Sequence, residues 1–346
     1  MFSRINSLSK KNKNKNCFII AEIGSNHNQD IKLAYKLIDE AKKAGADAVK
    51  FQTFKAEKHF SKYAPSFKFL NNQAMYTLIK KLEINRDWHK KLFSYCKKKK
   101  IIFFSSPCDY EAVDELHNLG IEIFKVASFD ITDLSLIKHI AKKKKTIILS
   151  TGLACEGDIS RAIKTCKAEK NNKIILLECT SIYPAPENIM NLKAISKMRE
   201  KYNLVTGFSD HSMGDHMILA SLGFGAKVIE KHLTLDRNMR GPDHKFAMIP
   251  KEFKEMIRKI RKIESGIGSG FKGSYTKEEL KMAQKAQRSI HVNINIKKGE
   301  IIKKKQLIFK RPGLGIKPYL INKVIGKRAL INIKKDHWIT WDMIEK

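Results

Sequence analysis

Short apolar runs alternate along most of this chain with longer stretches in which apolar residues recur every three or four positions. FIIAEIG (18–24) reads as a buried strand, and DIKLAYKLIDEAKKAG after it as an amphipathic helix closed by Gly45. DAVKFQT follows as a second strand ending in Lys50, Gln52 and Thr53. An insertion from about Phe54 to Asn85 precedes the helix RDWHKKLFSYCKKKK. IIFFSSP, a helix over 109–119, IEIFKVAS, a helix near 133–143, TIILSTG, a helix near 157–168 and KIILLECTSIYP continue the pattern. NLKAISKMREKY supplies another helix before the strands LVTGFSDH and AKVIEKHL, and PKEFKEMIRKIRKIESGIG supplies the last. Strand and helix alternate eight times, which at this spacing predicts an α/β protein built as a (β/α)8 barrel. A doubly wound sheet is the second choice, since no G-x-G-x-x-G follows the first strand.

The alternation stops after SGIGSGFKG (265–273), a Gly/Ser-rich connector that no strand precedes and that reads as a linker rather than a phosphate loop. From about Ala286 the chain turns to short strands and turns, a β-rich domain of roughly sixty residues that is marginal alone and is expected to lean on a partner surface. The expected divisions are a polar tail (1–17), a catalytic barrel (18–264), a linker (265–285) and the β-rich domain (286–346).

A chain of 346 residues can bury the core this plan needs, but its formal charge of +33 calls for placement. Lysine runs at 97–100 and 142–145 end helical segments just ahead of apolar strands, where cations complement the helix dipole. In a barrel that is the face opposite the catalytic rim. Neither these runs nor Lys303–Lys305 carry aromatic interleaving or a recognition motif, so no nucleic-acid partner is expected. The six cysteines, at 17, 96, 108, 155, 166 and 179, form no C-x-x-C and suit reduced thiols in a cytosol. CFIIAEIG is short and carries Glu22, unlike a signal peptide, and no apolar run could span a bilayer, so a cytoplasmic protein without a membrane partner is expected.

Barrel chemistry sits at the C-terminal strand ends. Read in turn, these offer Glu22, Lys50 with Gln52, Ser105 with Ser106, Lys125 with Ser128, and Ser150 with Thr151. Thr180, Ser181 and Tyr183 follow, then Ser209 with His211, and Glu230 with His232. Lysine in VKFQT and FKVAS has no packing reason to be there, and two of them among hydroxyl donors suggest a cradle for a multiply charged phosphate or carboxylate. His211 and His232 stand at corresponding ends of neighbouring strands, with Asp210, Glu230 and Asp243 close in sequence. One isolated histidine would be read as a loop hydrogen-bonder. A matched pair beside the acidic G-P-D-H turn suits a divalent metal that holds an anionic substrate.

AEIGSNHN, VKFQTFKAE, FSSP, FKVASFDITDLSLIKHIA, ILSTG, ECTSIYPAPENIMNL, GFSDHSMG, VIEKHLTLDRNMRGPDHKFAMIP and IKKGEIIKKKQLIFKRPGLGI, in this order, resemble the sialic acid synthase family over nearly the whole chain. The last segment is similar to that family's antifreeze-like (SAF) domain. The resemblance implies a transferase that condenses phosphoenolpyruvate with an N-acylated mannosamine-type sugar, giving a nine-carbon 2-keto sugar acid and phosphate. It implies His211 and His232 as ligands of a divalent metal, Mn2+ first and Mg2+ or Co2+ as alternatives. Lys50 and Lys125 match the phosphoenolpyruvate-binding lysines, with Ser106, Ser128, Ser150, Ser181 and Ser209 as the donors around that substrate. Glu22 matches the carboxylate near the reacting sugar carbon, and Gln52, Tyr183 and Asp243 match sugar contacts. Arg311 of KRPGLG resembles an arginine placed over the other subunit's site, which implies a domain-swapped homodimer. Cys108 in FSSPCDY, where many relatives carry an aromatic residue, and Ser181, in place of a frequent Asn, depart from the pattern and bear on pocket shape. GPDH and AEIGSNHN lean to the neuraminate and legionaminate branches, and the double serine of FSSP to the pseudaminate branch. An N-acetylneuraminate-type synthase is the first expectation, then a legionaminate synthase, then a pseudaminate synthase. Two other classes are carried beside it: a pyruvate lyase with a Schiff base on Lys125 or Lys50, and a non-catalytic carbohydrate-binding protein.

Overall fold

The computed structural model describes residues 16–65, 74–268 and 270–346. Most of the expected polar tail, residues 1–15, and part of the insertion, residues 66–73, lie outside the described residues. The chain divides between residues 269 and 270 into two compact units.

In the first unit eight parallel strands close on themselves in sequence order: β1 (Phe18–Gly24), β2 (Ala48–Thr53), β3 (Ile102–Pro107), β4 (Ile123–Val126), β5 (Thr146–Ser150), β6 (Ile174–Cys179), β7 (Val205–Asp210) and β8 (Val228–His232). Parallel pairing runs around the ring, from Glu22 opposite Lys50 to Glu22 opposite His232, with a register shift between Glu22 and Gly24 where β1 meets β2. Each strand leads into a helix, and the local chemistry explains where these begin and end. In Ile31–Ala44 the Asp30 carboxylate caps the first turn, and Gly45, at φ 96°, closes the last in the left-handed conformation its missing Cβ permits. Lysines 97–99 occupy the last turn of Trp88–Lys99, as the charge placement anticipates. Within the insertion, Ala56–His59 and Met75–Leu82 are helical. Among the described residues no helix is long and apolar enough to cross a membrane.

Strand side chains alternate between two faces. Phe18, Ile20, Ala48, Ile102, Phe104, Ile123, Ile148, Ile175, Leu177 and Val228 point inward and form one apolar plug. The intervening residues, such as Ile19, Ala21, Val49, Phe103 and Ile229, pack outward against the helices in a second, larger core. Gly207 has the inward parity at a crowded level: a Cβ there would strike the Val228 carbonyl and Leu177 on the flanking strands.

Polar residues of the outward parity are buried as well, and their contacts set the rim. Lys231 of β8 lies 2.7 Å from the Asp210 carboxylate of β7, with both side chains wholly inaccessible. The other Asp210 oxygen accepts from the Ser212 backbone N–H at 2.9 Å and from its hydroxyl at 2.7 Å. Asp210, read as a neighbour of a metal site, therefore faces away from the barrel interior and clamps β7 to β8. Ser105 is likewise turned outward, sharing a 2.7 Å hydrogen bond with Thr53, which meets His89 at 3.0 Å.

The second unit holds helix Lys277–Ala286, which falls in the stretch read as a linker and starts with a Thr276/Glu279 capping box. An antiparallel pair follows, β9 (Ser289–Val292) with β10 (Leu307–Lys310). Isolated bridges and turns complete it around Ile290, Val292, Ile296, Ile302, Ile316, Val324, Ile333 and Ile339.

Breaking the clamp on one side leaves an uncompensated buried charge. Lys231→Met should cost about 3–5 kcal/mol in denaturant unfolding, and Lys231→Met combined with Asp210→Leu should recover much of that loss. Equal destabilisation by the single and double variants would show that the pair contributes packing alone.

Candidate active site

At the C-terminal end of the barrel the inward parity passes from apolar to charged. Glu22 follows Ile20, Lys50 follows Ala48, Lys125 follows Ile123 and Glu230 follows Val228, two residues further along each strand. The four meet as one buried charge cluster. Lys50 Nζ lies 2.8 Å from Glu22 Oε2 and 3.9 Å from Glu230 Oε1. Lys125 Nζ stands 4.0 Å from the same Glu230 oxygen and donates to Ser150 Oγ at 2.6 Å and to the Val126 carbonyl at 3.1 Å. Ser209 Oγ donates to Glu230 Oε1 at 2.9 Å, and Gln52 donates to Glu22 Oε1 at 2.8 Å.

The two carboxylates sit in different fields. Burial, reinforced by Glu230, pushes Glu22 up to about 7, against the opposing pull of Lys50 and Gln52. Burial acts on Glu230 too, but Lys125 and Lys50 together outweigh it and hold the group below the ordinary glutamate value. Glu230 is thus the standing anion and Glu22 the group able to carry a proton near neutrality. Burial works against the charge on Lys50, yet Glu22 and Glu230 overcome it and raise its pKa. On Lys125 burial prevails over Glu230 and lowers it.

Beside this cluster His211 and His232 face each other with ring centroids 5.5 Å apart. Tyr183 lies 4.3 Å from the His211 ring and Phe246 lies 5.0 Å from the His232 ring, closing the pair in an aromatic sleeve. His211 Nδ1 donates to the Thr180 carbonyl at 2.9 Å, which leaves Nε2 as the free lone pair. His232 Nδ1 is buried with no hydrogen-bond partner among the described residues. Burial, then His211 and Lys50, drive the His232 pKa well below the ordinary value, so the ring is neutral. Burial opposes charge on His211, but Cys179, the Thr180 carbonyl and Glu230 overcome it and raise its pKa. Each ring offers a nitrogen without a protein partner, and a divalent metal could take the place of the proton on His211.

Two glycines show where small groups converge. At Gly24, φ 51°, a Cβ would lie 3.0 Å from Glu22 Oε1, 3.2 Å from Gln52 Nε2 and 3.4 Å from Asp243 Oδ2. Glu22, Gln52 and Asp243 therefore surround one point. Asp243 is placed there by its neighbour His244, which is buried and bonds Thr234 at 2.7 Å and Asn28 at 3.1 Å, tying the G-P-D-H turn to the AEIGSNHN turn. After β5, a Cβ on Gly152 would strike the hydroxyls of Ser181 and Ser128, so those two donors converge as well. Ser106 Oγ is buried and unpartnered among the described residues.

Glu22, Gln52, Lys50, Ser106, Lys125, Ser128, Ser150, Ser181, Tyr183, Ser209, His211, His232 and Asp243 thus all belong to the C-terminal mouth of one barrel. Arg311 lies in the second unit, exposed, with Nε donating to the Ala286 carbonyl at 2.5 Å. Sequence reasoning placed Glu230 on the rim without a separate role, and its place between the lysines appears only when the ring closes. Phe246 and Cys179, whose Sγ is 3.8 Å from His211 Nδ1, were also missed. Inward parity at the end of LLEC could have exposed Cys179, whereas Phe246 sits on a loop that carries no periodic signal.

The NeuB family profile matches residues 37–272, and the SAF domain profile matches residues 287–345. The chain belongs to the NeuB family. It is 44% identical to the N,N'-diacetyllegionaminic acid synthase of Campylobacter jejuni, over 94% of this chain and 99% of the relative. The protein of the same name from Legionella pneumophila is 37% identical, over 99% of this chain and 98% of the relative. Among solved structures, the N-acetylneuraminic acid (sialic acid) synthetase of Leptospira borgpetersenii, in complex with citrate, superposes with a TM-score of 0.71 at 35% identity, covering 78% of this chain and 91% of the other. The NeuB-family protein is accordingly an enzyme with the nonulosonic acid synthase function.

Glu230→Gln should lower the pKa of Glu22, because it removes a like charge and leaves Lys50 with Glu22 alone. Carbon-13 NMR titration of the Glu22 carboxyl reads this directly, and an unchanged or raised midpoint would contradict the split between the two groups.

Proposed function

We propose that this NeuB-family protein condenses phosphoenolpyruvate with a 2,4-diacetamido-2,4,6-trideoxymannose, the sugar of the N,N'-diacetyllegionaminic acid branch, releasing inorganic phosphate. The observation that carries the reaction class is the buried cluster of Lys50, Lys125, Glu22 and Glu230 beside the His211/His232 pair. The branch rests on the 44% identity to a legionaminic acid synthase, against 35% to the sialic acid synthetase. The N-acetylneuraminate branch is the second reading.

In this reading Lys50 and Lys125, with the hydroxyls of Ser106, Ser128, Ser150, Ser181 and Ser209, neutralise the phosphate and carboxylate of phosphoenolpyruvate. Glu230 keeps both ammonium groups aimed into the lumen when no substrate is present. Gln52, Asp243 and Tyr183 hold the open-chain sugar near Glu22. Carbon 3 of phosphoenolpyruvate forms a bond to the sugar aldehyde carbon, water adds at carbon 2, and phosphate departs with its carbon–oxygen bond broken. Glu22, able to exchange a proton near neutrality, protonates the aldehyde oxygen as it becomes a hydroxyl or takes a proton from the attacking water. His211 and His232 would hold a divalent ion, Mn2+ first among Mg2+ and Co2+, and such an ion supplies Lewis-acid polarisation of the sugar carbonyl. Arg311 would complete the sugar side from the second protomer of a domain-swapped homodimer.

Phosphate release from phosphoenolpyruvate should favour the diacetamido sugar over N-acetylmannosamine by about tenfold or more in kcat/KM, since a pocket shaped to bind a second amide leaves polar groups unpaired without it. The reverse preference would move the chain to the neuraminate branch. Silence with every sugar, from folded metal-loaded protein, would overturn the synthase reading. The lowered Lys125 pKa also suits a Schiff base, so trapping with pyruvate and borohydride decides between the two chemistries. Lys125→Ala should cost roughly a hundredfold in kcat. Mixing Glu22→Gln with Arg311→Ala protein should restore turnover if the site is shared between protomers, and no recovery would count against the swap.

A further inference from the structure

On the side of the barrel mouth opposite the His211/His232 pair, three segments bring together an imidazole, a thiol and a carboxyl. His59 ends the short helix after β2, Cys108 follows β3 directly, and Asp130 closes the turn Ser128–Asp130 after β4. In the closed order β1 to β8, β3 and β4 lie four strands from β7 and β8. One ligand atom from each residue lies within 4.8 Å of the other two. Cys108 Sγ is 3.8 Å from Asp130 Oδ2, and His59 Nδ1 is 4.0 Å from Asp130 Oδ1. All three residues are half-buried, and Cys108 forms no disulfide.

We propose that His59, Cys108 and Asp130 form a second metal site, separate from the histidine pair, that takes a borderline divalent cation of the zinc type. Bond lengths of about 2.0–2.3 Å place the ligand atoms of a tetrahedral ion roughly 3.3–3.8 Å apart. The three ligand atoms, within 4.8 Å of one another, would have to close by roughly 1 Å, a side-chain adjustment. The donor set selects the metal class: a thiolate beside an imidazole and one carboxylate oxygen suits zinc or cobalt better than magnesium or calcium. Each ligand is also held in place. The His59 ring lies against Phe54 and edge-on to Phe60, with centroids 6.2 and 4.9 Å away. The Cys108 N–H donates to the Thr53 carbonyl at 3.0 Å, and the Asp130 N–H to the Ala127 carbonyl at 3.0 Å.

Without a cation the site keeps its thiol protonated. Burial, then Asp130 and Asp109, push the Cys108 thiol well above its ordinary value, and burial raises Asp130 despite the opposing field of His59 and Lys125. Binding would convert the thiol to a metal thiolate with release of one proton to solvent. Lys50 and Lys125, whose charges act on Cys108 and Asp130 respectively, are already engaged with Glu22 and Glu230. Three protein ligands leave a fourth position of a tetrahedral ion free. None of this depends on which reaction the barrel performs.

Cobalt titration of the reduced, chelator-treated full-length chain tests the site without an activity readout. The wild-type protein should develop a thiolate-to-cobalt charge-transfer band in the near ultraviolet that saturates within two equivalents, one for each site, and at one equivalent in His211→Ala, and that bleaches when zinc displaces cobalt. Cys108→Ser should abolish the band with the circular dichroism spectrum unchanged, while His211→Ala and Cys179→Ser keep it. His59→Gln, altering a partly exposed side chain, should weaken cobalt binding at the band by at least about tenfold and carries the test if Cys108→Ser misfolds. No band in the wild type, a band that survives Cys108→Ser, full affinity in His59→Gln, or loss of the band in His211→Ala or Cys179→Ser would each overturn the proposal.

Discussion

Closure of eight parallel strands into a ring leaves an interior that accepts only every second residue of each strand. This constraint governs everything else in the barrel unit. The inward positions begin with Phe18, Ala48, Ile102, Ile123 and Val228, which fill the lower interior as an apolar plug. The same parity, continued toward the C-terminal ends, reaches Glu22, Lys50, Gln52, Ser106, Lys125, Ser150, Ser209, Glu230 and His232. No loop has to deliver these groups, because the pleat aims them. The plug below denies them water and gives their charges strong mutual fields.

A cost follows from that placement. Two ammonium groups and two carboxylates lie almost inaccessible in a medium that disfavours isolated charge. They persist because opposite signs alternate among them, Glu22 to Lys50 to Glu230 to Lys125. The arrangement is not symmetric, since Glu230 has a lysine on either side and Glu22 only one. That inequality sends the two carboxyls in opposite directions, one held ionised and one able to take up a proton. Proton-transfer chemistry at a substrate bound by the lysines needs such a division of roles.

The outward parity performs a quieter task. Asp210 and Lys231 occupy positions adjacent to His211 and His232 in the chain, yet they point into the layer between strands and helices and join β7 to β8. Their pairing fixes the strand ends from which the imidazoles project. His244 acts in a similar way from a loop, bonding Thr234 on one side and Asn28 on the other, and so carries Asp243 to the point marked by Gly24. The acidic residues gathered by sequence proximity therefore separate by function: Glu230 faces inward, Asp243 reaches the mouth from a loop, and Asp210 is a structural clamp.

Much of this was legible in the chain itself. Apolar runs of strand length alternating with helix-period segments determined the barrel, and lysines inside apolar strands, with two histidines at matching strand ends, determined where its chemistry lies. Both follow from local rules of burial and periodicity that a sequence carries at every position. What the chain alone could not settle were relations between residues far apart in it: Glu230 between two lysines, Phe246 over a histidine, Ser105 turned away while Ser106 turns in, and His59 meeting Cys108 and Asp130. These depend on strand register around a closed ring and on where loops fold back, and register is a property of pairing between strands. Only the tertiary structure decides it, because one residue of slip would exchange the two faces and send every charged group to the other side of the sheet.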